Sequence, residues 1–216
     1  MLLFETFPVG ALECNCSVIG CPDTKEAIVV DPGGDPERVD EVLRHYDLSV
    51  RWVVHTHAHL DHIAGTRDVK ERAAERGSAT IALHRDDTFL YDGFVQQAAM
   101  FGWQVRPVLP VEHWLTDGEA LGFGKLSTKV MHTPGHTPGS CCFHLEVGGR
   151  SILLSGDTLF SGSIGRTDLP GGDYATIEWS IKSRLYALDG DTVVIPGHGP
   201  PTKIGDEARH NPFVRA

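Results

Sequence analysis

The chain has 216 residues, 41% hydrophobic and 22% charged, enough apolar material for one globular domain spanning residues 1–216. Its formal net charge is -10 and it carries no basic stripe, which disfavours a nucleic-acid partner held through phosphates. The opening MLLFETFPVGALECN has neither a basic region nor a long apolar run, and no stretch is long enough to cross a bilayer, so a soluble, cytoplasmic protein without a membrane partner is expected.

In chain order, residues 2–9 and 14–19 alternate as two strands of a hairpin, and AIVV at 27–30 gives a third strand that stops at Asp31-Pro32-Gly33-Gly34. Asp35-Pro36 then opens a helix whose Val39, Val42 and Leu43 share one face. Residues 50–56 form a buried strand, and Thr66 is placed to cap a helix reaching about Arg76, with Val69 and Ala73 inward. A short strand follows at 80–83, then one or two short helices around Gly93, then loop and short strand over 105–119. Strands at 125–131, 140–145 and 151–155 follow, the last two joined through Val147-Gly148-Gly149 as a hairpin. Asp173 caps a helix with Tyr174, Ile177, Ile181, Leu185 and Leu188 on one face, 192–195 is a last buried strand, and the tail ends in a short helix. Strands alternating with helices in two comparable halves indicate an α/β architecture.

The cysteines, Cys14, Cys16, Cys21, Cys141 and Cys142, are odd in number and lack the spacing of a zinc knuckle or a redox pair. They read as small buried hydrophobes in a reducing compartment.

The stretch VVHTHAHLDHIAG concentrates His57, His59, Asp61 and His62 at the end of a buried strand. On extended backbone alternate side chains point the same way, so His57 and His59 can reach one ion, while Asp61 and His62 follow as the chain turns. Imidazole and carboxylate without thiolate are the donors of catalytic rather than structural sites. His136, Asp157 and His198 each follow a strand closely and sit in a Gly- or Pro-bounded loop, where sites are built. Seven donors exceed one tetrahedral ion and suit two divalent metals: His57, His59 and His136 on one, Asp61, His62 and His198 on the other, Asp157 between them. Such a pair, about 3.5 Å apart, activates water and polarises a substrate oxygen, which indicates hydrolysis of a carbonyl or phosphoryl group. Zinc is the first expectation, with iron or manganese accepted by the same donors.

The segments THAHLDH, TPGHTPGS, LLSGDTLF, GRTDLPGGD and IPGHGP, in this order, resemble the metallo-β-lactamase superfamily. The resemblance implies a four-layer αβ/βα sandwich with a binuclear site at one edge of its two sheets, and the seven ligands named above fill every ligand position. GDTLFSGSIGRTD and PGHGP look most similar to compact glyoxalase II-like proteins, relatives of hydroxyacylglutathione hydrolases without their C-terminal helical domain. That implies a small-molecule thioester substrate, S-D-lactoylglutathione or a related acyl thioester, with Asp61 and Asp157 catalytic. The family's basic glutathione contact falls on Arg166, whereas Asp168 and Pro200 stand where the family has aromatic residues. The rival implied by the same fold is a persulfide dioxygenase with one iron on His57, His136 and Asp157; IPGHGP favours the binuclear hydrolases. Other members cleave β-lactams, lactones or other esters.

Overall fold

In the computed structural model residues 2–216 are described; Met1, the first residue of the expected domain, lies outside them. The first half of the chain builds a six-stranded sheet from β1 (Leu3–Val9), β2 (Cys14–Gly20), β3 (Glu26–Val30), β4 (Ser49–Val54), β5 (Thr80–His84) and β6 (His113–Leu115), in that order. The β1, β2 and β3 strands pair antiparallel, and β3 through β6 pair parallel. Between the parallel strands the chain crosses through α1 (Pro36–His45), a short turn α2 (Leu60–Ile63), α3 (Thr66–Ala73), α4 (Thr88–Asp92) and α5 (Phe94–Met100).

The second half repeats the plan with β7 (Ala120–Phe123), β8 (Leu126–His132), β9 (Cys141–Val147), β10 (Arg150–Gly156), β13 (Val193–Pro196) and β14 (Thr202–Lys203), ordered 14-13-10-9-8-7. Two short strands, β11 (Leu159–Phe160) and β12 (Ser163–Ile164), form a separate ribbon beyond β10. The outer face is covered by α6 (Tyr174–Ser180), a wide helical turn at Ile181–Leu185 and α7 (Ile204–His210).

The alternation of strand side chains sorts the core into three apolar layers between four structural ones. Between the sheets lie Ile28, Val30 and Val54 of the first and Val130, Phe143 and Leu154 of the second. Val29, Val53 and Ile81 point the other way, against Val39 and Leu43 of α1 and Val69 of α3. Cys142, Leu153 and Val194 face Ile177, Ile181 and Leu185. The adjacent Cys141 and Cys142 therefore enter different layers, and all five cysteines are buried and free. This is the αβ/βα sandwich expected from the resemblance.

Three local expectations change. Thr66 does not cap α3: Gly65 occupies that position, and the Thr66 hydroxyl lies 3.2 Å from the buried His55 Nε2. Tyr174, the first residue of α6, is 48% exposed and turns its hydroxyl to the Phe213 carbonyl at 3.0 Å instead of joining the apolar face. The β7 strand went unnoticed because GEALGF is short and Gly-rich, and its pairing with β8 rather than its own pattern makes it a strand.

Phe143 is fully buried between the sheets. Replacing it by Ala should lower unfolding stability by about 3–5 kcal/mol, read from the denaturant midpoint of purified protein; a midpoint within experimental scatter of the parent would contradict a packed inter-sheet layer.

Candidate metal centre

Every candidate ligand sits just beyond a strand end on one edge of the sandwich. His57 and His59 lie in extended backbone after β4, and the turn α2 then brings Asp61 and His62 round behind them. His136 comes from the loop between β8 and β9, Asp157 from the residue after β10, and His198 from the loop after β13. The seven side chains converge on one spot.

Three ring nitrogens meet at one end. His57 Nε2 is 3.1 Å from His59 Nδ1, and His136 Nε2 is 3.2 Å from the former and 2.9 Å from the latter. Ligands of one tetrahedral ion at about 2.05 Å stand about 3.3 Å apart, so this spacing suits a shared cation. At the other end Asp61 Oδ2 is 3.2 Å from His198 Nε2 and 3.9 Å from His62 Nε2. Asp157 spans the two groups: its Oδ2 lies 3.6 Å from His136, its Oδ1 3.4 Å from His62 and 3.8 Å from His198.

The hydrogen bonds behind these rings decide which nitrogen faces inward. His136 Nδ1 donates to the Arg166 carbonyl at 2.7 Å. The Thr56 hydroxyl donates to Asp31 Oδ2 at 2.7 Å, so its oxygen is left to accept from His57 Nδ1 at 3.1 Å. Asp31 Oδ2 also takes His62 Nδ1 at 3.0 Å, beside the Cys14 thiol. In each case the bond at Nδ1 turns Nε2 toward the cluster, and for His57 and His136 it leaves that Nε2 as an acceptor. The two acceptor nitrogens of His57 and His136, 3.2 Å apart, repel, and a proton on His59 Nδ1 can serve only one of them at a time. His62 Nε2 and Asp157 Oδ1 are also buried, with no hydrogen-bond partner among the described residues. Such orphaned atoms cost free energy unless a further group meets them. The donor set and its spacing fit two divalent cations, one per trio, with Asp157 able to touch both.

The electrostatics of the two trios differ. Burial, then the neighbouring rings, pushes His57 well below its ordinary value and His59 down to about 3. Burial opposes the ionised forms of Asp61 and Asp157, yet His62 and His198, with His136 for Asp157, outweigh it and hold both carboxyls low. For His62 burial is likewise outweighed, by Cys14 and the three carboxylates Asp157, Asp31 and Asp61, and the ring is raised.

Several residues that hold the site escape a motif reading. Asp31 looked like part of a turn; its carboxylate receives the Thr56 N–H at 2.7 Å and fixes His62. Asn15 donates to the carbonyls of Pro196 and Gly199, both at 2.9 Å, and so fastens the His198 loop to β2. Gln97 of α5 grips Ala58 and Leu60 on either side of His59. Asp87 receives N–H groups from both ligand loops. Arg166 stands apart: its guanidinium is 61% exposed and pairs with Asp168 through two bonds of 2.7 Å.

This arrangement defines a metal-binding αβ/βα hydrolase scaffold. The sequence profile of the Metallo-beta-lactamase superfamily matches residues 9–198, and the chain belongs to that superfamily. Over 213 residues, 98% of each chain, it is 37% identical to the hydroxyacylglutathione hydrolase GloC of Haemophilus influenzae. It is also 31% identical over 212 residues, 98% of this chain and 97% of the other, to the probable metallo-hydrolase YqgX of Bacillus subtilis. Among solved structures it is similar to the BLEG-1 B3 metallo-β-lactamase, with TM-score 0.88, 35% identity and coverage of 99% of this chain and 100% of that one. TTHA1623 in a di-iron-bound form matches with TM-score 0.84 and 36% identity over 97% of this chain and all of that chain.

A methyl group on Gly197 would fall 2.2 Å from Asp157 Oδ1 and 2.8 Å from His62 Cε1. Gly197→Ala should weaken metal uptake by about tenfold or more in a chelator competition; unchanged affinity would remove Asp157 from the site. Acid should also destabilise the metal-free protein. Burial holds His55 down at about 4 against 6.5 in the unfolded chain, so between these values only the unfolded state takes the proton. Stability then falls as pH drops through that window, by up to about 3 kcal/mol for this one ring. His62 is shifted upward and contributes slope only above 6.5. Denaturant titrations at pH 7 and pH 5 should show the loss, and His55→Gln should shrink it; equal slopes in parent and variant would refute the assignment.

Proposed function

We propose that the chain is a binuclear metal-dependent thioesterase of the glyoxalase II kind, acting on S-2-hydroxyacylglutathione or a related acyl thioester. The observation that supports this most is the completeness of both trios around Asp157, together with the full-length similarity to a hydroxyacylglutathione hydrolase. Bound divalent ions, zinc first and iron or manganese otherwise, would activate water and polarise the acyl carbonyl.

The chain's own groups then have separable tasks. His57, His59 and His136 hold one ion, and Asp61, His62 and His198 the other, with Asp157 shared. Asp61, 15% exposed beside the outermost ligand His198, is the carboxylate that orients the attacking water and accepts its proton. The peptide carbonyl of Arg166 keeps His136 in one tautomer. The Arg166 guanidinium, exposed on the same loop, is the candidate contact for a substrate carboxylate; to act so it must exchange its Asp168 partner. The substrate is a small molecule, and the site needs no serine or cysteine nucleophile.

A second reading has its own support: the 35% identity to a B3 metallo-β-lactamase makes β-lactam ring opening the next activity to assay. A single-iron persulfide dioxygenase has less support, because Asp61, His62 and His198 form a second complete trio.

Purified protein should carry up to two divalent ions per chain and hydrolyse S-D-lactoylglutathione or shorter acyl thioesters. Chelation or His57→Ala should abolish turnover, and Asp61→Asn should lower kcat by about 10²-fold or more while sparing the fold. Undiminished hydrolysis by fully metal-free protein, or activity confined to β-lactams, would displace the thioesterase reading.

A further inference from the structure

Asp87 is the last residue of the turn that follows β5 and carries no ligand, yet its carboxylate is fully buried. One oxygen receives the Ala58 N–H at 3.0 Å and the Thr137 hydroxyl at 2.8 Å. The other receives the Gly139 N–H at 2.6 Å. Ala58 stands between His57 and His59, in the loop after β4 of the first sheet. Thr137 adjoins His136, and Gly139 lies two residues further on, in the loop before β9 of the second. The fit is close: a methyl group on Gly139 would come within 2.6 Å of the Asp87 Cγ.

We propose that Asp87 is a positioning residue that sets the distance between His57 and His59 on one sheet and His136 on the other, and so tunes affinity for the ion those rings share. This rests on reading the cluster as a metal site and not on which substrate it serves.

The physical reason lies in what else joins these loops. Cys141 N–H reaches the Thr56 carbonyl at 2.7 Å, one backbone bond between the two sheets at this edge. Across the cluster itself His57 Nε2 and His136 Nε2, each ring with its proton on Nδ1, stand 3.2 Å apart as two acceptors, which push apart rather than together. A carboxylate that accepts from both loops counters that repulsion in the metal-free protein and presets the spacing an ion needs. Only an acceptor on both oxygens can do this. An amide of the same size would turn its NH₂ toward one of the donors and leave that buried N–H unmet.

The test is a stepwise zinc titration of full-length protein against a chromophoric chelator, with the melting temperature of the metal-free form measured alongside. Wild-type protein should bind two ions. In Asp87→Asn one binding step should weaken by about tenfold or more, and the other by less than threefold. Ile81→Val, a trimming of the fully buried β5 core, should lower stability and leave both steps unchanged. Should Asp87→Asn not fold, Thr137→Val should weaken the same step about threefold and Thr137→Ser should restore it. Unchanged affinity in the Asp87 or Thr137→Val variant, or equal weakening by Ile81→Val, would overturn the proposal while the metal reading stands. Wild-type protein that took up no ion would overturn both.

Discussion

The governing constraint in this molecule is the confinement of seven donor groups, five imidazoles and two carboxylates, to one small volume at the edge of two sheets. The His57 and His136 rings turn acceptor nitrogens toward each other at 3.2 Å, and two polar atoms are buried with no hydrogen-bond partner among the described residues. By itself this arrangement is repulsive. It persists because apolar layers on both sides of each sheet fix the strand ends, and because hydrogen bonds behind the rings fix their orientation. The proposed pair of cations would turn the same repulsion into cohesion, so that site and fold would support each other.

The division of the ligands between the halves matters as much as their number. The first sheet supplies His57, His59, Asp61 and His62; the second supplies His136, Asp157 and His198. Neither half can complete a trio alone. Fixing the inter-sheet distance is therefore a condition for binding metal. Phe143 and its neighbours pack between the sheets in the core, and Asn15 and Asp87 hydrogen-bond across them at the rim. The close approaches at Gly33, Gly165 and Gly197 have the same origin: a side chain there would strike Asp61, Asp157 or His62.

Much of this was legible in the chain. The convergence of the seven candidate ligands was readable because each is a metal-binding residue type just beyond an apolar strand, near Gly or Pro. The sandwich was readable from the resemblance carried by those same segments. What escaped has a common cause. Asp31 and Asp87 are ordinary aspartates in turns, and Asn15 an ordinary asparagine in a hairpin strand; their importance comes from donors and acceptors 25 to 184 residues away. Thr66 and Tyr174 misled for the opposite reason. Each matched a local rule for capping or amphipathicity, and a bond to His55 or to the Phe213 carbonyl took its place.

Residue order alone determined the chemistry available, since donor type and strand-end placement are local properties that short-range rules can read. Tertiary structure decided which nitrogen of each ring faces the centre, which residues behind the ligands hold them, and that the Arg166 guanidinium is held by Asp168. Those outcomes depend on atoms brought together only when the two sheets pack, and no spacing along the backbone encodes them.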